Sequence, residues 1–506
     1  MLSPDYIFET SWEVCNRVGG IYAVLSTRAA SMQKEHPDKV VFFGPDFGDH
    51  SNQFFQEDPS LFRRWTEMFR QSHPEIPVRV GRWLVPGQPI AVLLKADALQ
   101  ARKDEIYAWA WEHFGVQSHA AYGDYDESSL FGYAAGMTMA HLYDSLQASS
   151  QEPLRVVAHA NEWQTAFMVF YLRHFRPQIG TLFTTHATSI GRSIAGNGKP
   201  LYDYLEHYNG DQMAEELNMV SKHSAEKQAA HFADCFTTVS DLTAKECAQL
   251  LDKPVDIVTP NGFEPTFVPK GKAFGKCRAE AREALRRVAS QQLGGVVPSD
   301  AMLVCIAGRQ EWKNKGIDVF LHTMERLGEL VYEQQTGRET VAFVMIPYLD
   351  RPVRRYGKVS VVFVPYYLNG QDPLFGKSYY DLLIGMDASV FPSYYEPWGY
   401  TPLESVAFHV PTVTTTLAGF GLWVLHSGVE AGESVKVIER NDSNYYEVVE
   451  QAARQLIHLS QQTEEQRSEV CDTAAKVAKK AEWRYFFKYY RQAYLIALKK
   501  AAERNK

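Results

Sequence analysis

Short apolar runs alternate with longer amphipathic segments along most of the chain. Strand-like runs are Val40–Phe43, Ile90–Leu94, Arg155–Ala158, Gly180–Thr184, Cys235–Val239 and Asp256–Val258. After a break come Leu303–Ala307, Val341–Ile346, Val359–Val364, Ala388–Phe391 and Thr412–Thr415. Most are rich in Val, Ile, Phe or Thr and lack polar alternation. Strands covered on both faces read this way, so parallel sheets flanked by helices are expected. Ser240 is placed to N-cap the segment Asp241–Leu251, and Thr401 to cap another helix. Repeated β–α units predict an α/β, doubly wound fold.

The turn Thr259-Pro260-Asn261-Gly262 follows a strand and joins two strong turn formers, which makes it the expected domain boundary. A charged helical stretch, Cys277–Ala289, a Gly/Pro loop, Gly294–Pro298, and a fresh strand near Met302 follow it. The expected division is one Rossmann-like half over 1–258 and a second over 259–480, with 481–506 as a further helix. In that last segment Trp483, Phe486, Phe487, Tyr490, Tyr494, Ala497 and Leu498 follow helical spacing. The segment mixes basic and aromatic residues, but its periodicity favours a helix docking onto a domain over a nucleic-acid surface.

Composition narrows the class. The chain has 506 residues, and 52 Lys+Arg against 60 Asp+Glu give a net charge of −8. With 45% hydrophobic and 22% charged residues it is an ordinary globular chain with ample length for large cores. The acidic excess argues against a nucleic acid or an anionic membrane as main partner. No apolar run reaches the roughly 18–20 residues that span a bilayer, and the start lacks a basic-then-apolar secretory pattern. The six cysteines show no CxxC spacing, so neither a zinc site nor a disulfide framework is expected. A cytoplasmic enzyme fits. No Walker A and no GxGxxG after a strand is found; Gly271–Lys276 is one residue short of the former.

Four stretches could carry chemistry. In Arg17-Val-Gly-Gly-Ile-Tyr22, Gly19 and Gly20 would let backbone N–H groups approach a phosphate or sugar, with a helix from about Ile21; taken alone, the pair favours a plain turn over a ligand site. The loop Gly308–Gly316 follows strand Leu303–Ala307, so Arg309 and Lys315 lie where open α/β sheets bind ligands. Two cations there could neutralise a diphosphate, or simply face water. In Glu396-Pro-Trp-Gly-Tyr-Thr-Pro-Leu-Glu404, Thr401, Pro402 and Glu404 fit the N-cap, first and third positions of a capping box, so Glu404 could serve its own helix. Glu396 has no such role. Tyr394, Tyr395 and Trp398 around it could form a sugar-binding wall, and the helix start at Tyr400–Thr401 offers N–H donors to a phosphate. Finally, His186 in Thr185-His-Ala-Thr188 ends a strand, and both structural and ligand roles are open for it. Asp124-Tyr-Asp126 has DxD spacing but no adjacent strand, so a metal is not expected there.

Together these stretches resemble glycogen synthases of the animal and fungal type, glycosyltransferase family 3. The likeness covers most of the chain and includes FETSWEVCNRVGGIYAVLSTRA, AHANEWQTA, FTTHATSIGR, FADCFTTVSDLTAKE, DIVTPNGF, AGRQEWKNKGIDVFL and VFPSYYEPWGYTPLESVA. The resemblance implies a GT-B enzyme: two Rossmann-like domains facing a deep cleft, with the C-terminal helix crossing back to the first. The N-terminal domain would take the acceptor glucan and the C-terminal domain the nucleotide-sugar. Its activity would be retaining transfer of glucose from UDP-glucose, or ADP-glucose in related enzymes, to the non-reducing end of glycogen or another α-1,4-glucan. No metal or cofactor is implied, and a homo-oligomer is compatible with the family. Residue by residue, Arg309 and Lys315 match the cations at the donor diphosphate. Glu396 matches the first Glu of the pair, beside the glucose, and Glu404 the second, near the ribose. Tyr379 matches the ring stacked on the base, His186 the histidine at the sugar and Arg192 the arginine after it. Arg17, Gly19 and Gly20 match the glycine loop, and Tyr400 and Thr401 fall in the donor-binding block.

This sequence departs from the family in four places. Arg17 stands where Lys is usual, and Asn161 where His is usual. The segment Tyr348–Val359 is short where eukaryotic members carry a long helical insertion. The arginine cluster that senses glucose 6-phosphate is not reproduced in Val470–Lys480, and the Ser-rich phosphorylated tail is missing. A bacterial-like form, constitutively active without glucose 6-phosphate, is therefore expected.

Overall fold

The computed structural model describes residues 3–335 and 337–504. They form two compact units. The first holds Met1–Ile194, Tyr204–Gly262 and the segment from Trp483 onward; the second holds Ala195–Asp203 and Phe263–Glu482. The sequence boundary after residue 258 thus lies four residues before the change of unit at Gly262. One short stretch departs from that division: Ala195–Asp203 belongs with the second unit although it precedes the boundary. Nothing in its composition marks it out.

The first unit is built on strands β1 (Tyr6–Thr10), β2 (Val40–Pro45), β3 (Phe55–Glu57), β4 (Val78–Trp83), β5 (Ile90–Leu94), β6 (Val156–Asn161), β7 (Gly180–Thr185), β8 (Cys235–Thr238) and β9 (Ile257–Val258). Their order in the sheet is β3-β4-β5-β2-β1-β6-β7-β8-β9. The run from β5 to β9 is parallel, whereas β3, β4 and β5 pair antiparallel at one edge. β1 falls outside the predicted strands, because Glu9 interrupts its apolar run. It lies between β2 and β6, and Glu9 is fully buried against an equally buried Arg28. Burial of both charges together is what makes a carboxylate tolerable inside this sheet.

The second unit contains β10 (Met302–Ala307), β11 (Thr340–Met345), β12 (Arg354–Tyr356), β13 (Val359–Phe363), β14 (Ala388–Val390), β15 (Thr412–Thr415) and β16 (Val435–Ile438), ordered β12-β13-β11-β10-β14-β15-β16. Within this sheet only the β12–β13 pair is antiparallel among the described strands. In each sheet the chain reverses its direction of growth beside a central strand: between β1 and β6 in the first, between β10 and β14 in the second. Crevices at such switch points, beyond the strands' carboxyl ends, are where open α/β sheets hold ligands.

The last helix, Trp483–Arg504, buries Trp483, Phe486, Phe487, Tyr490, Tyr494, Ala497 and Leu498, the stripe read from the sequence. It packs within the first unit, where Trp483 Nε1 donates to Thr27 Oγ1 at 2.8 Å. Ser240 caps the helix Asp241–Leu250 as expected, its hydroxyl accepting from Thr243 N. Thr401 does not cap. The helix Tyr400–Ala407 is capped by Gly399 at φ +97, without a side-chain bond, because the chain enters it through a left-handed turn that favours glycine.

Candidate functional site

The candidate residues fall into two groups, one at the switch point of each sheet. In the second unit, β10 ends at Ala307 and Gly308 turns the chain into the loop bearing Arg309 and Lys315. Gly316 closes this loop at φ +67. A Cβ there would sit 2.1 Å from the Pro392 carbonyl oxygen, so only glycine lets the loop lie against the one after β14. The two loops are tied by backbone bonds: Tyr394 N and Tyr395 N both donate to Asn314 O, at 2.9 and 3.1 Å. Glu396 is then clamped from its other side, its N donating to Leu417 O and its O accepting from Gly419 N.

This framework sets Lys315 Nζ 2.5 Å from Glu396 Oε2, with both side chains mostly shielded. Arg309 is about half exposed and pairs with Glu311 at 2.8 Å in the same loop. A cation and a carboxylate held by two loops at a switch point can stabilise departing phosphate charge and orient a sugar. Glu404 is buried and accepts from the Tyr380 hydroxyl at 2.7 Å. The capping-box role considered for it is therefore not formed; it lies on the face of its helix that meets Tyr380. Tyr379 opens the helix Tyr379–Leu383, whose N-cap Ser378 makes a capping box with Asp381. Its ring is half-buried, while its hydroxyl is buried without a hydrogen-bond partner among the described residues. Tyr400 and Thr401 form the first turn of their helix and are partly exposed.

The aromatic wall expected around Glu396 is absent. Tyr394, Tyr395 and Trp398 are all at least 96% buried. Tyr394 gives its hydroxyl to Asp442 and lies under Lys313 Nζ at 4.2 Å, and Trp398 packs on Phe420 and Trp423. These rings support the loop from beneath and are not a surface for a sugar.

In the first unit, β1, β6 and β7 converge with their carboxyl ends side by side. His186 follows β7 and is buried. Its Nε2 lies 2.9 Å from Asn161 Oδ1 at the end of β6. Burial first, then the field of His159 and Arg28, pushes the imidazole down to about 3, so the ring is neutral at ordinary pH. Glu162 Oε1 accepts from His186 N at 2.7 Å and Ala187 N at 3.1 Å. Glu162 itself has φ +69 and ψ 163, a region nearly reserved for glycine. Burial and the neighbouring Glu226 raise its carboxyl to about 8, against the pull of Arg192 and the two N–H donors. Glu226, fully buried, takes Thr185 Oγ1, Ser189 N and Ser189 Oγ, so it and half-buried Glu162 hold the turn after β7. Arg192 is exposed on the helix Ser189–Gly196 that follows.

The glycine loop differs from its reading. Glu13 Oε2 accepts from Gly19 N and Tyr22 N, both at 2.8 Å. The helix Gly20–Glu35 thus has a carboxylate at its N-terminus, where a phosphate was expected to meet the Gly19 N–H. Gly20 and Arg17 remain exposed, Arg17 with its guanidinium 5.8 Å above the Tyr22 ring. The DxD stretch is engaged elsewhere: Asp124 pairs with Lys222 and Asp126 with Lys103.

A profile of the glycogen synthase family matches residues 9–354 and 349–505, nearly the whole chain. The chain belongs to the glycogen synthase family. It is similar to human liver glycogen [starch] synthase, 26% identical over 98% of this chain and 84% of the relative. Against glycogen [starch] synthase of Caenorhabditis elegans it is 25% identical, over 98% and 88%. With that of Dictyostelium discoideum it shares 24% over 99% and 67%. The fold is that of GT-B glycosyltransferases. The catalytic domain of starch synthase IV from Arabidopsis thaliana, solved with ADP and acarbose, superposes with a TM-score of 0.60 at 14% identity, covering 98% of this chain and all of that one. An α,α-trehalose-phosphate synthase (UDP-forming) from Burkholderia vietnamiensis gives 0.56 at 12%, covering 98% and 99%. The chain is accordingly a glycosyltransferase, with a nucleotide-sugar as donor and a glucan as acceptor.

Glu13, Glu9, Glu162 and Glu226 are functional residues that sequence reasoning does not single out. Glu9, Glu13 and Glu162 carry one signal, an acidic residue next to or within an apolar run, as in Phe8-Glu9-Thr10; Glu226, in Ser224-Ala-Glu-Lys-Gln228, carries none. No described helix is long and apolar enough to cross a membrane.

Proposed function

We propose that this chain transfers glucose from UDP-glucose to the non-reducing end of an α-1,4-glucan, with retention at the anomeric carbon. The observation that carries this reading is the Lys315–Glu396 pair, held by two backbone-tied loops at the switch point of the second sheet. Lys315 and Arg309 would receive the charge of the departing nucleoside diphosphate, and Glu396 would stand beside the transferred glucose. The acceptor hydroxyl would attack from the face the diphosphate leaves, its proton passing to a phosphate oxygen. Glu396 is given no covalent role. Tyr379 would stack on the base and Glu404 lie near the ribose. In the first unit, neutral His186 and exposed Arg192 would face the sugar and its phosphates. In this reading Lys315 and Arg309 would exchange their carboxylate partners for phosphate oxygens and neutralise the diphosphate in place of a metal. The resemblance to animal and fungal synthases supports UDP-glucose over ADP-glucose. All six cysteines are free thiols, which agrees with a cytoplasmic setting.

The test is incubation with labelled UDP-glucose and ADP-glucose in competition, with glycogen as acceptor. UDP-glucose should supply most of the label, and the new linkages should be α by NMR. Preferred use of ADP-glucose, or incorporation only into another acceptor, would replace this reading with that of a related GT-B glucosyltransferase.

A further inference from the structure

Asn161 ends β6 with its side chain enclosed. Its Nδ2 donates to the Thr10 carbonyl oxygen at 3.1 Å and to Glu9 Oε1 at 3.0 Å. A backbone carbonyl can only accept, so the NH2 end of the amide must face β1. The Oδ1 end then faces His186 Nε2 at 2.9 Å. An amide oxygen cannot donate. His186 Nε2 therefore carries the proton, and in the neutral ring Nδ1 keeps its lone pair. Among the described residues Nδ1 has no hydrogen-bond partner.

The frame behind Asn161 is stiff. Glu9 is ion-paired with Arg28, and the Arg28 guanidinium lies 4.0 Å from the centre of the Tyr490 ring. His159 Nδ1 stands 3.3 Å from Glu9 Oε1, and its Nε2 meets Thr184 Oγ1 at 2.7 Å. Of the charged groups around His186, Arg28 and Arg192 oppose a second proton and Glu9 favours one; burial adds to the opposition.

We propose that Glu9 and Asn161 are positioning residues that lock His186 as the neutral Nε2–H tautomer, leaving Nδ1 as an acceptor-only atom for a hydroxyl of the transferred sugar. The inference rests on reading His186 as sugar-facing. Asn at position 161 makes the lock one-way, because an imidazole there could present either a donor or an acceptor.

The direct test is NMR of the intact enzyme labelled with 15N-histidine, the His186 signals being assigned by their loss in His186→Gln. The expected result is a protonated-type Nε2 and a lone-pair-type Nδ1, unchanged between about pH 6 and pH 8. A protonated Nδ1, or titration of the ring in that range, overturns the lock. A second arm repeats the spectra in Asn161→Leu, which removes the acceptor facing Nε2. The Nε2-protonated signature should then give way to a mixture of the two tautomers. An unchanged signature in folded Asn161→Leu contradicts the proposal. An Nε2–H signal combined with unimpaired turnover of His186→Gln would remove the sugar-facing reading, and with it the purpose of the lock. A protonated Nδ1 removes the lock whatever that variant does.

Discussion

Lys315 Nζ rests 2.5 Å from Glu396 Oε2, joining the loop after β10 to the loop after β14 across the switch point of the second sheet. The pair is mostly shielded, so each charge depends on the other. Removing Lys315 as Lys315→Ala should lower kcat by about a hundredfold or more, since it takes away charge aimed at the leaving group. It should also destabilise the fold by about 1–3 kcal/mol by leaving a shielded carboxylate unpaired. Steady-state kinetics and denaturant titration measure the two effects separately. Loss of stability with unchanged kcat would mean the pair is structural only.

Glu162 gives a stability-versus-pH signature. Its carboxyl is raised to about 8 from 4.5, so the folded state keeps a proton that the unfolded state releases. Stability from this group is fully present below about pH 4.5 and is lost as pH rises through about 8. Glu162→Gln cannot ionise. Its stability relative to wild type should rise across that window by about 2 kcal/mol, short of the full shift because Glu162 is only half-buried. Parallel stability curves for the two proteins would contradict the raised carboxyl.

Glu13 holds the start of the helix Gly20–Glu35 through Gly19 N and Tyr22 N. Glu13→Ala should cost about 1–2 kcal/mol, the usual range for losing a helix cap. The midpoint of urea unfolding reads this. An unchanged midpoint would show that the two N–H groups find water or other partners at no cost.

Glucose 6-phosphate should change activity by less than about twofold. On the helix Glu464–Lys480 the basic residues in its last turn are Lys479 and Lys480, and Val470 and Ala474 are buried. Of the second unit's arginines, Arg278 and Arg282 both bond Asp387, and the helix itself adds only Arg467. Assays with and without the sugar phosphate decide this, and several-fold activation would defeat the expectation of a constitutive form.

The repeated β–α units were legible because strands buried on both faces are almost uniformly apolar. The strands that escaped are those where this rule fails: β1, broken by buried Glu9; β4, where polar and apolar residues alternate; and the short edge strands β3, β12 and β16. The loops bearing Arg309, Lys315 and Glu396 were legible from their position after strands. Their supports were not. Tyr394 and Trp398 read as a ligand wall because exposure cannot be seen in a sequence, yet tertiary packing turns them inward. Glu13 and Thr401 show the same limit at helix starts: a distant carboxylate caps one, and a left-handed glycine caps the other where a capping box was spelled out.

The central claim is that Glu396 and its partner Lys315 carry transfer of glucose onto a glucan. The most direct measurement is incorporation of labelled glucose from UDP-glucose into glycogen by wild type and by Glu396→Ala, both checked for folding by thermal melts. The account predicts robust incorporation by wild type and a loss of about a hundredfold or more in the variant. Equal incorporation by a folded Glu396→Ala enzyme would contradict it.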